Sequence, residues 1–212
     1  MSLTLPISEE DVGAGSTEFE VQAVATPSDA AAGRIRSGAE SAIHEAGIGL
    51  GSNQGQSIEI LQSSWKRLQN HPAIAPVALS APYRSQPVNM VSTSWFVNAV
   101  ALVWTTLTPH ALLRELQAIE TSCGRVRPVQ ATGYQDRTLD LDLLFYDALI
   151  FQTDDLVIPH PRMQERRFVL EPLAEIAGDR IHPVSGKQIR ELLLDLNKID
   201  NNQIVEQMLW PE

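Results

Sequence analysis

The chain has 212 residues and carries 26 Asp and Glu against 16 Lys and Arg, a formal charge of −10. Such a balance argues against nucleic acid as the main partner, because a phosphate backbone demands a basic surface. Cys123 is the single cysteine, which excludes an internal disulfide and a Cys-rich zinc site. No apolar run approaches the roughly 20 residues of a membrane span, and the first residues lack the basic start and apolar core of a secretory signal. A soluble, cytoplasmic protein is expected, long enough for one domain and a tail.

Residues 1–45 hold eight acids against Arg34 and Arg36, so they carry −6 of the total charge. With Gly, Ser, Thr and Ala between the charges and no sustained period, they cannot bury enough surface to offset chain entropy. They are expected to form a disordered tail, with a short helix around Ser37 to Glu45 and a docking or regulatory role left open. The folded domain is placed at 46–212. It opens with Gly47 to Gly55, a short strand running into a glycine-rich turn that matches neither a P-loop nor a dinucleotide fingerprint. The next stretch, Ser57 to Leu68, places Ile58, Leu61, Trp65 and Leu68 on one helical face, with Ser57 as the expected cap.

Two strands follow. Val77 to Arg84 alternates loosely, whereas Phe96 to Trp104 is apolar on both parities, as a central strand covered on both faces should be. Asn98 is the one polar residue inside that second run, so it is either a structural bridge or the reader of a polar ligand. Between them, Pro87 to Ser94 is a polar loop long enough to move. Thr108-Pro109 then supplies a helix cap and first turn; Leu112, Leu116 and Ile119 carry the buried face to a stop at Gly124. The strand Arg137-Thr138-Leu139-Asp140-Leu141-Asp142-Leu143-Leu144 comes next. Its period of two puts Leu139, Leu141 and Leu143 on one face and the carboxylates of Asp140 and Asp142 on the other.

The order strand, helix, strand, strand, helix, strand predicts an α+β fold with a ferredoxin-like βαββαβ core. A polar stretch leads from Asp147 to Ile158, and two C-terminal helices are expected. The first covers Arg162 to Ala177 with an interruption at Pro172, and the second covers Lys187 to Leu196. The end from Asn201 is weakly patterned.

Paired carboxylates at i and i+2 repel unless a cation lies between them, and their hard oxygens suit Mg²⁺. The simpler alternative is a strand whose polar face is merely wet. Arg125, Arg127, Arg137, Arg162, Arg166 and Arg167 crowd the same part of the sequence, although eight acids lie between Glu120 and Arg167 and could pair with them. Arginine beside a metal-ready pair suggests a polyphosphate held between cations.

These motifs also carry a family resemblance. Gly49-Leu50-Gly51-Ser52-Asn53, Tyr83-Arg84-Ser85 with Pro87, Phe96-Val97-Asn98-Ala99, Gln117-Ala118-Ile119-Glu120, Gly124-Arg125-Val126-Arg127, Arg137 to Asp142, Pro159-His160-Pro161 and Arg166 to Leu173 resemble, in order, the 6-hydroxymethyl-7,8-dihydropterin pyrophosphokinases of folate biosynthesis. The resemblance implies a transferase that moves the terminal diphosphate of ATP to the pterin hydroxymethyl group and releases AMP. It implies two Mg²⁺ ions on Asp140 and Asp142, and ATP contacts from Gln117, Glu120, Arg127, His160 and Arg166, with Glu120 on the ribose. Arg137 would reach the transferred phosphates and Arg125 would be an auxiliary cation. Ser85, Gln86, Pro87, Val88 and Asn98 would hold the pterin, with Phe168 stacked on its ring and Phe96 beside the pocket. ATP and this pterin are thus the implied partners, with neither nucleic acid nor membrane.

One segment departs from the family. Before Arg137 the family reads Arg-Trp-Gly-Pro, and this chain has Gly133-Tyr134-Gln135-Asp136, which removes a cation and adds an anion near the phosphates. That departure keeps open a relative that binds both ligands without fast transfer. A phosphoryl enzyme with another acceptor is the remaining alternative, and the presence of Asn98 and Phe168 counts against it.

Overall fold

The computed structural model describes residues 42–87, 94–125, 136–199 and 202–211. Its centre is an antiparallel sheet of β1 (His44–Ser52), β2 (Ile74–Leu79), β3 (Tyr83–Ser85), β4 (Phe96–Thr105), β5 (Asp140–Tyr146) and β8 (Val205–Gln207). The strand order is β5-β1-β4-β3-β8, with β2 also on β4. Helix α1 (Ser57–Asn70) follows β1 and α2 (Pro109–Ser122) follows β4, the ferredoxin-like arrangement that the alternating periods predict.

One face of the sheet is closed by α1 and α2. Ala46, Ile48 and Leu50 of β1, Ala99, Ala101 and Val103 of β4, and Leu139, Leu141 and Leu143 at β5 pack there against Leu61, Leu68, Leu112 and Leu116. The other face is partly covered by α3 (Arg167–Ala177) and α4 (Ile189–Ile199), whose Val169, Leu170, Leu173, Ile189 and Leu192 meet Val100, Leu102, Leu144 and Phe145. β4 therefore faces apolar partners on both sides, which is why its sequence does not alternate. Thr108 caps α2 by accepting from the Ala111 amide at 3.4 Å, and Gly124 ends that turn at φ +84°.

Several expectations are corrected. The opening strand is longer than expected: Gly47, Gly49 and Gly51 all lie inside the nine-residue β1, and the turn follows at Gly55 with φ +71°. That strand begins at His44, so no helix reaches Glu45. Asp147 fixes this start, accepting from the Glu45 amide at 2.8 Å and donating its own amide to the Glu45 carbonyl at 2.7 Å. The run from Val77 to Arg84 is two strands. Ser80 breaks it by turning its hydroxyl onto the Val100 amide at 3.0 Å, and Pro82 has no amide to give.

Ser57 is the first helical residue rather than the cap, and its hydroxyl accepts from Ser52 at 3.0 Å. Pro172 sits inside α3 without interrupting it, buried with Val169 and Leu173 in the second core. The helix starts at Arg167, after a 3₁₀ turn over Met163–Glu165. The polar stretch after Asp147 contains a short hairpin of β6 (Phe151–Gln152) and β7 (Val157–Ile158). The weakly patterned C-terminus supplies β8. The predicted tail up to residue 41, Val88, Arg127 and the altered residues Gly133 to Gln135 lie outside the described residues.

Candidate active site

Strand register builds the floor of the site. On the face toward α3, Asp140 of β5 stands opposite Gly51 of β1, and Gly51 stands opposite Asn98 of β4. One row further on, Asp142, Gly49 and Val100 are aligned in the same way. The glycines alternate with Ile48 and Leu50, so β1 buries its side chains on one face and presents bare backbone on the other. A Cβ on Gly51 would lie 3.3 Å from Asn98 Oδ1 and 3.9 Å from Asp140 Cβ, which shows that the glycine keeps a groove open between the carboxylates and the amide.

Over that groove lies a cavity of about 320 Å³ that brings together Asp140, Asp142, Arg137, Arg166, Asn98, Ser85, Gln86 and Phe168. Phe96 also lines it. Asn98 Nδ2 donates to Ser85 Oγ at 2.9 Å, a side chain rather than the backbone, and the residue also lines the cavity. Each ring has an arginine against it: the Arg137 guanidinium is 5.7 Å from the Phe96 centroid and that of Arg166 is 5.5 Å from Phe168. The cavity thus has an anionic and cationic end beside an aromatic slot.

Cations surround the carboxylates unequally. Asp140 is ion-paired with Arg125 and, at 3.2 Å, with Arg137. Asp142 lies further from its cations, with Arg166 at 3.8 Å and His160 at 4.0 Å. Depth in the concavity, then repulsion from Asp140, push the Asp142 carboxyl up to about 6, against the pull of Arg166 and Arg137. His160 is held neutral, its pKa lowered to about 4 by burial and then by Arg166 and Arg162. Its Nδ1 accepts the Arg162 amide at 3.2 Å, which leaves the proton on Nε2, toward Asp142.

Glu120, Gln117 and Pro87, all expected to contact ligands, lie outside the lining of this cavity. Glu120 is 2 % exposed, and its Oε1 accepts the Leu141 amide at 2.8 Å and pairs with Arg125, so its carboxylate is used within the protein. Asp136, expected to add an anion near phosphates, is held by Asn53, whose Nδ2 donates to it at 2.6 Å and whose Oδ1 accepts the Arg137 amide at 2.8 Å. Sequence reasoning allowed the glycines near Gly49 and Gly51 a close approach to a ligand but weighed them more as a turn; the period-two glycines in an otherwise apolar strand were the available signal. It missed Glu165 and Gln203 in the cavity wall, where Arg162, one of the expected arginine group, lies as well. Gln203 had no local signal at all.

Asp140 and Asp142 suit a hard divalent cation. Two protein carboxylates are too few to enclose one, and among the described residues no cluster of three or more His, Cys, Asp or Glu could do so. The rest of a magnesium shell would come from water and phosphate oxygens. No helix among the described residues is long and apolar enough to cross a membrane.

Comparison with known proteins finds relatives of this chain. The chain is 40 % identical over 150 residues to the 2-amino-4-hydroxy-6-hydroxymethyldihydropteridine pyrophosphokinase of Methylorubrum extorquens, covering 71 % of this chain and 92 % of that one. It is 42 % identical over 138 residues to the protein of the same name from Haemophilus influenzae, covering 65 % and 84 %. It is also 41 % identical over 142 residues to the Folic acid synthesis protein fol1 of Pneumocystis carinii, where it spans 67 % of this chain but only 19 % of the longer protein. Among solved structures, wild-type Plasmodium falciparum HPPK-DHPS with SDX-DHP has the same fold, with a TM-score of 0.61 at 14 % identity over 77 % of this chain and 47 % of that one. Residues 47–178 match the 7,8-dihydro-6-hydroxymethylpterin-pyrophosphokinase family, and the chain belongs to it.

Proposed function

We propose that this protein transfers the terminal diphosphate of ATP to the hydroxymethyl group of 6-hydroxymethyl-7,8-dihydropterin and releases AMP, in folate biosynthesis. The observation that carries the reading is the single cavity in which an Asp pair flanked by arginines adjoins a slot formed by Phe96, Phe168 and Asn98. A triphosphate fits the first part, and a flat heterocycle with a polar edge fits the second.

In this reading Asn98 and Ser85 read the pterin edge and Phe168 stacks on its ring, so the hydroxymethyl oxygen faces the Asp140 and Asp142 end. Arg137 and Arg166 hold phosphate oxygens in line with that hydroxyl. The hydroxyl oxygen bonds to the β-phosphorus, the bond from that phosphorus to the oxygen of the α-phosphate breaks, AMP leaves, and the hydroxyl proton passes to water. Asp140 and Asp142 hold Mg²⁺, two ions in this proposal, which when bound would neutralise charge on the transferred group. Positioning and charge neutralisation carry most of such a transfer, and no dedicated base is assigned. His160, neutral above about pH 4, offers an Nε2–H to phosphate.

The test mixes the full chain with ATP, Mg²⁺ and 6-hydroxymethyl-7,8-dihydropterin and measures AMP. AMP that depends on the pterin is expected. Binding of both ligands without AMP would reject transfer, and absence of pterin binding would reject the substrate.

A further inference from the structure

The C-terminal segment 202–211 lies beyond the stretch 47–178 that matches the family, yet it reaches the cavity. Helix α3 carries Phe168 in its first turn, with Arg166 just before it, and Arg166 makes no side-chain cap. The exposed amide at this helix start is satisfied from elsewhere in the chain, since Arg167 N donates to Gln203 Oε1 at 2.9 Å. The other end of the same side chain is also used: Gln203 Nε2 donates to the Glu165 carbonyl at 2.9 Å. Arg167 Nη1 adds a bond to the Gln203 carbonyl at 3.3 Å. With both ends of its amide bonded and only 9 % of it exposed, Gln203 is fixed in place and orientation.

One residue later the chain meets the opposite wall. The Ile204 carbonyl accepts the Gln86 amide at 3.3 Å, and β8 then pairs with β3, with Val205 opposite Ser85 and Gln207 opposite Tyr83. Met208 N donates to the Pro82 carbonyl at 2.7 Å and Trp210 Nε1 to the Ser80 carbonyl at 2.9 Å. These contacts hold the segment to β3 without any help from Gln203. The Gln203 amide therefore has a separate task, which is to join the β3 wall to the start of α3.

We propose that Gln203 is a positioning residue for the pterin, tying the turn that carries Arg166 and Phe168 to the strand that carries Ser85 and Gln86 and so setting the width of the slot. This rests on the assignment of the slot to the pterin. Ser85 lines the slot with Asn98 bonded to it, and Phe168 forms its other side, so the spacing of the two walls decides whether a ring can stack while its edge is read.

The test uses Gln203→Met, which keeps length and volume but removes both amide bonds, and Gln203→Glu, which keeps the acceptor for Arg167. Two measurements are made on the full chain: the affinity for 6-hydroxymethylpterin, and amide hydrogen exchange at residues 165–168. Gln203→Met is expected to weaken pterin binding about tenfold, from the loss of two neutral hydrogen bonds that hold the wall. Its Arg167 amide should exchange faster while α1 and α2 do not change. Gln203→Glu, which restores the acceptor for the Arg167 amide but sets an oxygen against the Glu165 carbonyl, should slow the Arg167 exchange again without restoring affinity in full. Parent-like pterin affinity in Gln203→Met, or Arg167 exchange in Gln203→Glu as fast as in Gln203→Met, would overturn the proposal. If the parent protein itself bound no pterin, the functional assignment would fall, and unaltered Arg167 exchange in Gln203→Met would independently overturn the tie between the walls.

Discussion

Replacing Asp142 by Asn separates the needs of chemistry from those of stability. In the metal-free protein the Asp142 carboxyl is raised from 3.8 to about 6 by burial and then by Asp140, so its ionisation opposes folding at neutral pH. The interval between those values corresponds to about 3 kcal/mol. Because 39 % of the side chain is open to solvent, screening reduces this to about 1–2 kcal/mol.

The sign follows from proton uptake. The folded state binds the proton more tightly than the unfolded one, so the destabilisation is absent below about pH 4, grows between about pH 4 and 6, and is complete above. Asp142→Asn should therefore melt about 3–6 °C above the parent at pH 7 with chelator present, and the gap should close as pH falls toward 4. Asp140, Glu120, Arg137, Arg166 and His160, the charged and titratable groups around it, are common to both proteins and largely cancel in the difference. The same variant should lose most of its magnesium-dependent AMP formation. Thermal unfolding across that pH range decides the matter: a variant less stable than the parent at pH 7, or a gap that does not vary with pH, would refute the argument.

Asp140→Asn should lower pterin-dependent turnover on the order of 10²-fold, the cost of removing one charge clamp, as measured by AMP release; unchanged turnover would contradict the metal assignment. Phe168→Ala should weaken pterin binding about three- to tenfold through loss of stacking, as read by fluorescence titration. Gly47→Ala should cost about 1–3 kcal/mol in urea unfolding, because its Cβ would lie 2.2 Å from Phe145 Cε1. The buried Phe145 ring has little freedom to retreat, since the Arg180 guanidinium sits 3.8 Å from its centroid. An unchanged unfolding midpoint would mean that the ring moves freely.

The sequence by itself determined which face each element buries. Alternating Leu and Asp from 139 to 143 separates core from cavity, Thr108-Pro109 starts a helix, and the two-sided apolar run from Phe96 requires a central strand. These are local consequences of side-chain direction and period, and they carry through to the structure. Only the tertiary structure decided what stands beside what. Register aligns Gly51 between Asp140 and Asn98, a buried Glu120 is consumed by the Leu141 amide and Arg125, and Gln203 caps a helix that begins 36 residues before it. The physical reason is that backbone amides and carbonyls are alike at every residue. Strand partners, tertiary caps and the short edge strand β8 are therefore set by long-range packing, which leaves no period in the sequence to read.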